Sequence, residues 1–319
     1  MQAIRYDEGV SYVASHPDAK PRAGECRVRV HLAGICATDL EIIKGYMGFA
    51  GILGHEFVGT VEAGSRAWQG RRVVAEINCA CRECDMCHAG LSTHCRNRSV
   101  IGISGHDGCF ADYVTVPEIN LHAVPASISD EEAVFVEPLA AAYQVVKQCP
   151  IDSRTRAAVV GTGRLGLLVA QVLATTGCQL LAVGRNPRTL LFCEKKGIQA
   201  VSVDELVPKQ DRDVVVECTG APAGLQLALG MVRPRGTVVL KSTFAAAENL
   251  NLTPLVVNEA HLLGSRCGPF ADALEALARK EIDVSSMVSR TFRLERGVEA
   301  LEAAAKPENI KVLLRIGPR

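Results

Sequence analysis

Two short segments of the 319-residue chain carry side chains that bind metals and move protons. They are Gly34-Ile-Cys36-Ala-Thr38-Asp39-Leu-Glu41 and Gly54-His55-Glu56-Phe-Val-Gly59. Thiolate, imidazole and carboxylate groups are metal ligands, and hydroxyl and carboxyl groups transfer protons. Taken alone, a single cysteine is usually a core residue, and a His-Glu pair can be a hydrogen-bonded surface pair. Neither segment therefore defines a site by itself.

A cluster of cysteines follows these segments, at Cys81, Cys84, Cys87 and Cys95. Four thiolates at this spacing can wrap one tetrahedral Zn²⁺ and leave it no open position, so the spacing predicts a structural zinc site. Cys79 lies only two residues before the cluster and is interpreted as a neighbour. An iron–sulfur cluster is disfavoured because its usual run ends in Cys-Pro, whereas Arg96 follows here. Disulfides and a nucleic-acid-binding zinc knuckle are the remaining alternatives.

A glycine-rich turn lies between an apolar strand and a helix, at Gly161-x-Gly163-x-x-Gly166. In this setting the first glycine permits a tight turn, the second lets the backbone approach a pyrophosphate, and the third lets helix and strand pack closely. The N–H groups of the helix N-terminus then face the phosphates. The turn is therefore predicted to bind a dinucleotide through residues that include Arg164, Leu165 and, beyond a later strand, Thr219. A purely structural turn is the alternative.

The end of the next strand indicates which dinucleotide is bound. An acid about 20 residues after the turn would bind the ribose 2′-hydroxyl and repel a 2′-phosphate. The chain has no acid there and instead has Gly184, Arg185, Asn186 and Arg188. A small residue followed by a guanidinium group accommodates the 2′-phosphate through a charge-assisted hydrogen bond. The sequence therefore predicts NADP as the cofactor, with NAD as the second candidate. The alternative is that the two arginines are only solvated loop residues.

The elements that must position these residues form two predicted domains. Residues 1–133 contain short β-branched runs broken by Gly and Pro, which predicts a barrel-like domain with a cysteine lobe at about 79–97. Over residues 134–270, apolar strands alternate with helices, as in a parallel sheet covered on both faces. Its strands are predicted at Ala157–Val160, Leu180–Val183, Ala200–Val203, Val214–Glu217, Thr237–Lys241 and Leu262–Ser265. Residues 271–319 are predicted to rejoin the first domain through helices at Ala271–Arg279 and Val298–Ala305 and a strand at Lys311–Ile316.

Charge and hydropathy argue against several classes of partner. The 35 Lys and Arg residues balance 35 Asp and Glu residues, so no net field would attract nucleic acid or an anionic membrane. The N-terminus lacks the apolar core of a secretory signal, and no uninterrupted apolar run reaches the length of about 18 residues that spans a bilayer. We expect a cytoplasmic protein that binds a small molecule.

The combination of motifs resembles the zinc-dependent medium-chain alcohol and polyol dehydrogenases over essentially the whole chain. The motifs occur in the family's order: Cys36-x-Thr38-Asp39, Gly54-His55-Glu56, the four-cysteine lobe, Val136-Glu137-Pro138-Leu139-Ala140, the glycine turn and Glu217-Cys-Thr-Gly220. The resemblance implies a Rossmann doubly wound parallel sheet together with a chaperonin-10-like β-barrel catalytic domain, an α/β plus β fold. It also implies a homodimer or homotetramer.

The resemblance further implies a catalytic zinc in addition to the structural one. Cys36 and His55 match zinc ligands, and Glu137 takes the family's remaining ligand position. Glu56 either binds the metal directly or supports it, and the sequence does not decide between the two. Zinc would lower the pKa of a substrate hydroxyl toward neutrality, so that hydride can pass to the nicotinamide. Thr38 would carry the hydroxyl proton outward.

Two acidic residues bear on the substrate. Simple alcohol dehydrogenases usually have cysteine where this chain has Glu137, whereas sorbitol, threonine and glucose dehydrogenases have glutamate. Many relatives have a histidine at the position of Glu41, and this chain resembles glucose dehydrogenases there. The alternative is that Glu41 is a solvated helix residue. We expect a sugar, polyol or cyclitol that is converted to a ketone, aldehyde or lactone. The alternatives are a non-catalytic cofactor- and zinc-binding sensor and a zinc-free protein resembling quinone reductases.

Overall fold

The computed structural model describes residues 1–243 and 250–317, which fold into two compact units. The first unit comprises Met1–Glu137, Ala273–Arg279 and the chain from Val284 onward. The second comprises Pro138–Asp272 and Lys280–Asp283. The catalytic and cofactor-binding roles expected of two such domains stay predictions at this point.

The strands follow one another in short runs, with helices concentrated in the second half of the chain. The strands are β1 (Ala3–Asp7), β2 (Gly9–Val13), β3 (Glu25–Gly34), β4 (Gly51–Ile52), β5 (Glu56–Ala63), β6 (Arg72–Ala75), β7 (Asn78–Cys79), β8 (Ser99–Ile101), β9 (Gly105–His106), β10 (Tyr113–Pro117), β11 (Leu121–Ala123), β12 (Arg156–Val160), β13 (Gln179–Gly184), β14 (Gln199–Ser202), β15 (Arg212–Glu217), β16 (Val232–Leu240), β17 (His261–Gly264), β18 (Val288–Arg293) and β19 (Lys311–Arg315). The α-helices are α1 (Ala37–Ile43), α2 (Asp85–His88), α3 (Asp130–Ala133), α4 (Val136–Gln148), α5 (Arg164–Thr175), α6 (Pro187–Lys195), α7 (Pro222–Met231), α8 (Thr253–Val257), α9 (Phe270–Ala278) and α10 (Gly297–Ala304).

The first unit is organised around the long strand β3. Its side chains alternate between buried and partly exposed, with Cys26, Val28, Val30 and Leu32 on the buried face, as expected of a half-buried strand. In the largest sheet of the unit the strand order is β11-β6-β5-β3-β19-β18, and β10 also pairs with β3. Both β5 and β19 pair antiparallel with β3, which places Gly34 opposite Glu56 on one side and Leu313 on the other. The end of β3 is thus enclosed by two strands.

The second unit contains a parallel sheet in the order β14-β13-β12-β15-β16-β17. This is the strand order 3-2-1-4-5-6 of dinucleotide-binding folds, so the predicted doubly wound sheet is confirmed. The predicted strand ends at Val203, Lys241 and Ser265 are wrong by one residue. Each lies just beyond the last residue of its strand and donates one backbone hydrogen bond to the neighbouring strand.

The last elements also end slightly earlier than the sequence predicts. Helix α9 ends at Ala278, helix α10 ends at Ala304, and strand β19 ends at Arg315, each one residue before the predicted end. Among the described residues, no helix is both long enough and apolar enough to cross a membrane.

Candidate functional site

Three residues with metal-binding side chains come together where β3 and β5 meet. Cys36 lies just after β3 and precedes the first residue of α1, while Glu56 is the first residue of β5 and His55 immediately precedes it. One ligand atom from each of the three residues lies within 4.8 Å of the others. Such a set of sulfur, nitrogen and oxygen atoms is compatible with bonds of about 2.0–2.3 Å to a single zinc ion.

The buried carboxylate of Asp39 connects two members of this cluster. Its Oδ2 accepts a 2.8 Å hydrogen bond from the backbone N–H of Cys36, and its Oδ1 lies 3.3 Å from Nδ1 of His55. Burial lowers the pKa of His55, but the nearby Asp39 carboxylate and Cys36 sulfur outweigh it and raise the pKa well above its ordinary value. Negative charge surrounds a buried imidazole here, an environment that favours a bound cation.

Glu56 has a partner that the sequence does not reveal. The Glu56 carboxylate, 1% exposed, forms a buried ion pair with Nζ of Lys311, 2% exposed. The same Nζ lies 5.6 Å from the centroid of the Phe135 ring. A Cβ atom on Gly34 would lie only 2.4 Å from Oε2 of Glu56, so the pair needs glycine at the end of β3. Lysine at the start of an apolar strand looks like an exposed residue, so no sequence pattern marks Lys311.

The other predicted catalytic residues lie in different surroundings. Glu137 is half-buried in the first turn of α4, and its carboxylate is not in the three-residue cluster found among residues 1–243 and 250–317. Thr38 Oγ1 lies 3.7 Å from Sγ of Cys36. Glu41 forms an exposed 2.8 Å ion pair with Lys44, which supports its interpretation as a solvated helix residue. The structure therefore brings together three of the four predicted zinc ligands.

The cysteine lobe forms a separate, compact sulfur cluster that contains all four predicted ligands and not Cys79. Sulfur–sulfur distances are 3.4 Å between Cys81 and Cys95, 3.6 Å between Cys84 and Cys87, and 3.8 Å between Cys84 and Cys95. A tetrahedron with zinc–sulfur bonds of about 2.3 Å has edges of about 3.8 Å. Backbone N–H groups, that of Arg96 foremost, lower the pKa of Cys84 to about 6. The lobe thus matches the shape of a four-thiolate zinc site.

Each glycine of the turn between β12 and α5 has a different surrounding. Gly161 has φ = 101°, and its Cβ would lie 2.8 Å from the backbone of Cys218. A Cβ on Gly166 would lie 1.8 Å from the carbonyl oxygen of Gly161, so helix and strand pack directly on each other. Gly163 is exposed, and no described atom lies within 4 Å of where its Cβ would be. Packing therefore explains the first and third glycines, while the second faces open space before the N-terminus of α5.

The remaining predicted cofactor residues lie at the carboxyl edge of the same sheet. Arg185 and Arg188 are exposed, and the Asn186 side chain caps α6 by accepting a 3.0 Å hydrogen bond from the N–H of Arg188. Thr219 donates both its N–H and its hydroxyl to the buried carboxylate of Glu217, each at 2.5 Å. Ser242 also donates to this carboxylate, a contact that the sequence does not predict.

Comparison with known proteins agrees with this architecture. Residues 22–126 match the family described as alcohol dehydrogenase GroES-like domain, and residues 165–281 match zinc-binding dehydrogenase. The chain is 30% identical to 2-dehydro-3-deoxy-L-galactonate 5-dehydrogenase of Pseudoalteromonas atlantica, covering 98% of each chain. It is 29% identical to sorbitol dehydrogenase of Halalkalibacterium halodurans, covering 95% of this chain and 94% of that protein.

A solved structure from Sinorhizobium meliloti, described as a zinc-binding dehydrogenase bound to NADP, is also similar. It has a TM-score of 0.88 and 27% identity, and 98% of each chain is covered. The protein belongs to the zinc-dependent medium-chain alcohol and polyol dehydrogenase family. It is an oxidoreductase of alcohols that works with a nicotinamide cofactor and zinc and acts on small molecules.

The buried Glu56–Lys311 pair leads to a stability prediction. Lys311→Met should lower the free energy of unfolding by about 3–5 kcal/mol, because it leaves the Glu56 charge buried without a partner. The double variant Lys311→Met/Glu56→Gln should recover part of this loss. Lys44→Met, which removes an exposed partner of Glu41, is the control and should change stability by less than about 1 kcal/mol. Chemical denaturation measures all three, and equal midpoints for Lys311→Met and Lys44→Met would contradict the prediction.

Proposed function

We propose that this protein oxidises a hydroxyl group of a sugar, polyol or cyclitol, with NADP as the hydride acceptor. The product is a ketone, an aldehyde or a lactone. The observation that carries the proposal is the buried cluster of Cys36, His55 and Glu56, whose sulfur, nitrogen and oxygen atoms suit zinc. The first unit is the catalytic domain in this proposal, and the second binds the cofactor.

The cluster residues have distinct proposed roles. Cys36 and His55 bind the catalytic zinc, Glu137 supplies a further ligand, and Glu56 binds directly or stands beside the metal. When bound, zinc acts as a Lewis acid that lowers the pKa of the substrate hydroxyl toward neutrality. Asp39 orients the imidazole of His55, as carboxylates commonly do for metal-binding histidines.

Proton removal is assigned to Thr38. Its hydroxyl lies 3.7 Å from Sγ of Cys36 and is half-buried, so it can accept a proton near the metal and pass it toward solvent. Asp39, in contrast, is fully buried and already accepts the N–H of Cys36. The buried carboxylate therefore holds the cluster in place, and the hydroxyl is the group that relays.

The cofactor proposal is NADP, with NAD as the alternative. The open space at Gly163 lies before α5, whose first N–H groups have no side-chain cap and can face a pyrophosphate. Arg164, Leu165 and Thr219 belong to the same proposed site. Arg185 is exposed and makes no ion pair with the described residues, so its guanidinium can bind a 2′-phosphate, with Asn186 and Arg188 beside it.

Polyhydroxylated substrates are favoured over simple alcohols. Glutamate at position 137 makes the donor set of the site richer in oxygen than a set with a second thiolate. Both curated relatives named above act on polyols or sugar acids by their names. Glu41 contributes nothing to this proposal because it is paired with Lys44 at the surface.

We further propose that two or four copies assemble through the edge strand β17. Leu262 on this strand is 42% exposed, and Val256 on α8, just before it, is 79% exposed. An exposed apolar edge strand is a template for pairing with a second copy. Burial of these side chains between copies would remove apolar surface from water.

The catalytic proposal predicts two zinc ions per chain and oxidation of polyols. Cys36→Ser or His55→Ala should lose one zinc and abolish turnover, while NADPH binding stays nearly unchanged. Cys84→Ser should lose the other zinc and unfold at a lower temperature, because a closed structural site stabilises the fold. Metal analysis, NADPH titration and a rate panel of polyols, sugars, cyclitols and simple alcohols measure these effects.

Cys178→Ser is the matched control, since Cys178 lies outside both clusters and both zinc ions should remain. Turnover retained by Cys36→Ser would exclude the assigned metal site. A single zinc confined to the cysteine lobe of the unmodified protein would support the non-catalytic alternative.

The cofactor proposal predicts that kcat/KM is higher with NADP than with NAD. Arg185→Ala should lower kcat/KM for NADP roughly tenfold to a hundredfold, because it removes a charge-assisted hydrogen bond to phosphate. The value for NAD should change little. Arg154→Ala, an exposed arginine before β12 at the opposite edge of the sheet, is the control. A higher kcat/KM with NAD in the unmodified protein would end the NADP proposal.

The assembly proposal predicts that the chain sediments as a dimer or tetramer. Leu262→Lys should shift it to a smaller species, because a charge at the paired edge would be buried without a partner. Val207→Lys, at another exposed apolar position, should leave the size unchanged. Analytical ultracentrifugation decides, and a monomeric unmodified chain contradicts the proposal.

A further inference from the structure

A threonine of the glycine turn occupies the space beside Gly184. A Cβ atom on Gly184 would lie 2.0 Å from Oγ1 of Thr162 and 3.0 Å from both its Cβ and its Cγ2. Rotation about χ1 moves Oγ1 and Cγ2 but not Cβ. Non-bonded carbon atoms prefer separations of about 3.5–4.0 Å, so in every rotamer of Thr162 its Cβ atom stays closer than this to a Cβ atom at residue 184.

Hydrogen bonds hold Thr162 in this position. Its Oγ1 lies 2.7 Å from Oγ1 of Thr189, and both side chains are buried. Thr189 Oγ1 donates to the carbonyl oxygen of Asn186 at 2.9 Å. Because a hydroxyl carries one proton, Thr162 must be the donor in the bond between the threonines. The pair therefore links the turn after β12, which precedes Gly184 in the chain, to the first turn of α6, which follows it.

Residue 184 is the position where an acid would select NAD. It ends the second strand of the dinucleotide-binding unit, about 20 residues beyond the glycine turn, where a carboxylate would bind the ribose 2′-hydroxyl. An aspartate there would place its Cβ atom against the Thr162 side chain. Both the glycine at position 184 and the Thr162 side chain packed against it thus disfavour an acid at this position.

We propose that Thr162 is a cofactor-specificity residue. It acts by blocking an acidic side chain at position 184, so that Arg185 supplies the charge in the loop after β13. The inference rests on the proposed use of NADP and deepens it. Two consequences follow. An acid at residue 184 alone does not create an NAD site, and removal of the Thr162 side chain is what permits one.

Thermal unfolding tests the steric part without any cofactor. Gly184→Ala should lower the unfolding temperature by roughly 2–10 °C, since overpacking of a buried position destabilises. In a Thr162→Gly background, the same change should cost less than half as much. An equal loss in both backgrounds would overturn the inference. The alanine variant keeps this test informative even where a larger side chain prevents folding.

Cofactor titration, followed by NADH and NADPH fluorescence, tests the specificity part. Thr162→Gly/Gly184→Asp should bind NADH at least about tenfold tighter than Gly184→Asp alone, a range expected for one hydrogen bond to a charged group. The matched control Thr189→Val/Gly184→Asp breaks the threonine pair but keeps the Thr162 side chain. It should bind NADH no tighter than Gly184→Asp.

The two proposals fail in different ways. A preference of the unmodified protein for NADH would refute the use of NADP, whatever the variants show. If the unmodified protein prefers NADPH but Gly184→Asp alone binds NADH tenfold tighter than the unmodified protein does, the role of Thr162 is refuted by itself. Equal NADH affinity of Gly184→Asp and the Thr162→Gly double variant leads to the same conclusion.

Discussion

Charge buried at the end of strand β3 is the constraint on which the candidate metal site depends. Glu56 and Asp39 are both nearly inaccessible to solvent, and His55 and Cys36 lie beside them. Two carboxylates cannot stay ionised away from water without compensating cations or donors. Lys311 compensates one of them, and the backbone N–H of Cys36 partly satisfies the other. The sulfur, nitrogen and oxygen atoms gathered beside these charges suit a metal ion.

The compensation of charge requires a strand from the far end of the sequence. Lys311 and Glu56 are separated by 255 positions, and β19 reaches Glu56 because it pairs antiparallel with β3. Gly34 permits the approach, since a Cβ there would overlap the ion pair. The tail of the chain is thus part of the first unit. Its contribution is electrostatic as well as structural, because it supplies the cation that pairs with the buried Glu56 carboxylate.

In the second unit, steric fit decides what the loops around the glycine turn can bind. Gly161 and Gly166 have no room for a side chain, whereas Gly163 has open space that a ligand can fill. Gly184 lacks room because Thr162 stands against it. Glycines with the same appearance in the sequence are therefore closely packed at three positions and face open space at one. Glu217 adds a buried acceptor that holds Thr219 and Ser242 at the same edge of the sheet.

Local spacing and periodicity were sufficient to determine much of this protein from sequence. The parallel sheet and the strand, turn and helix around the glycines depend on residues close together in the chain, and sequence patterns report such neighbours directly. The four cysteines follow the same logic, because a loop of 15 residues, Cys81–Cys95, contains the whole cluster.

Contacts between distant segments were decided only by the tertiary structure. Strand register and helix packing decide three such features. They are the pairing of Lys311 with Glu56, the position of Glu137 outside the three-residue cluster, and the closeness of Thr162 to a Cβ atom at residue 184. A one-residue shift in register would turn each strand side chain to the other face. The spacing of residues along the chain does not show which residue of a distant strand lies opposite. The tertiary structure is therefore needed to define these contacts.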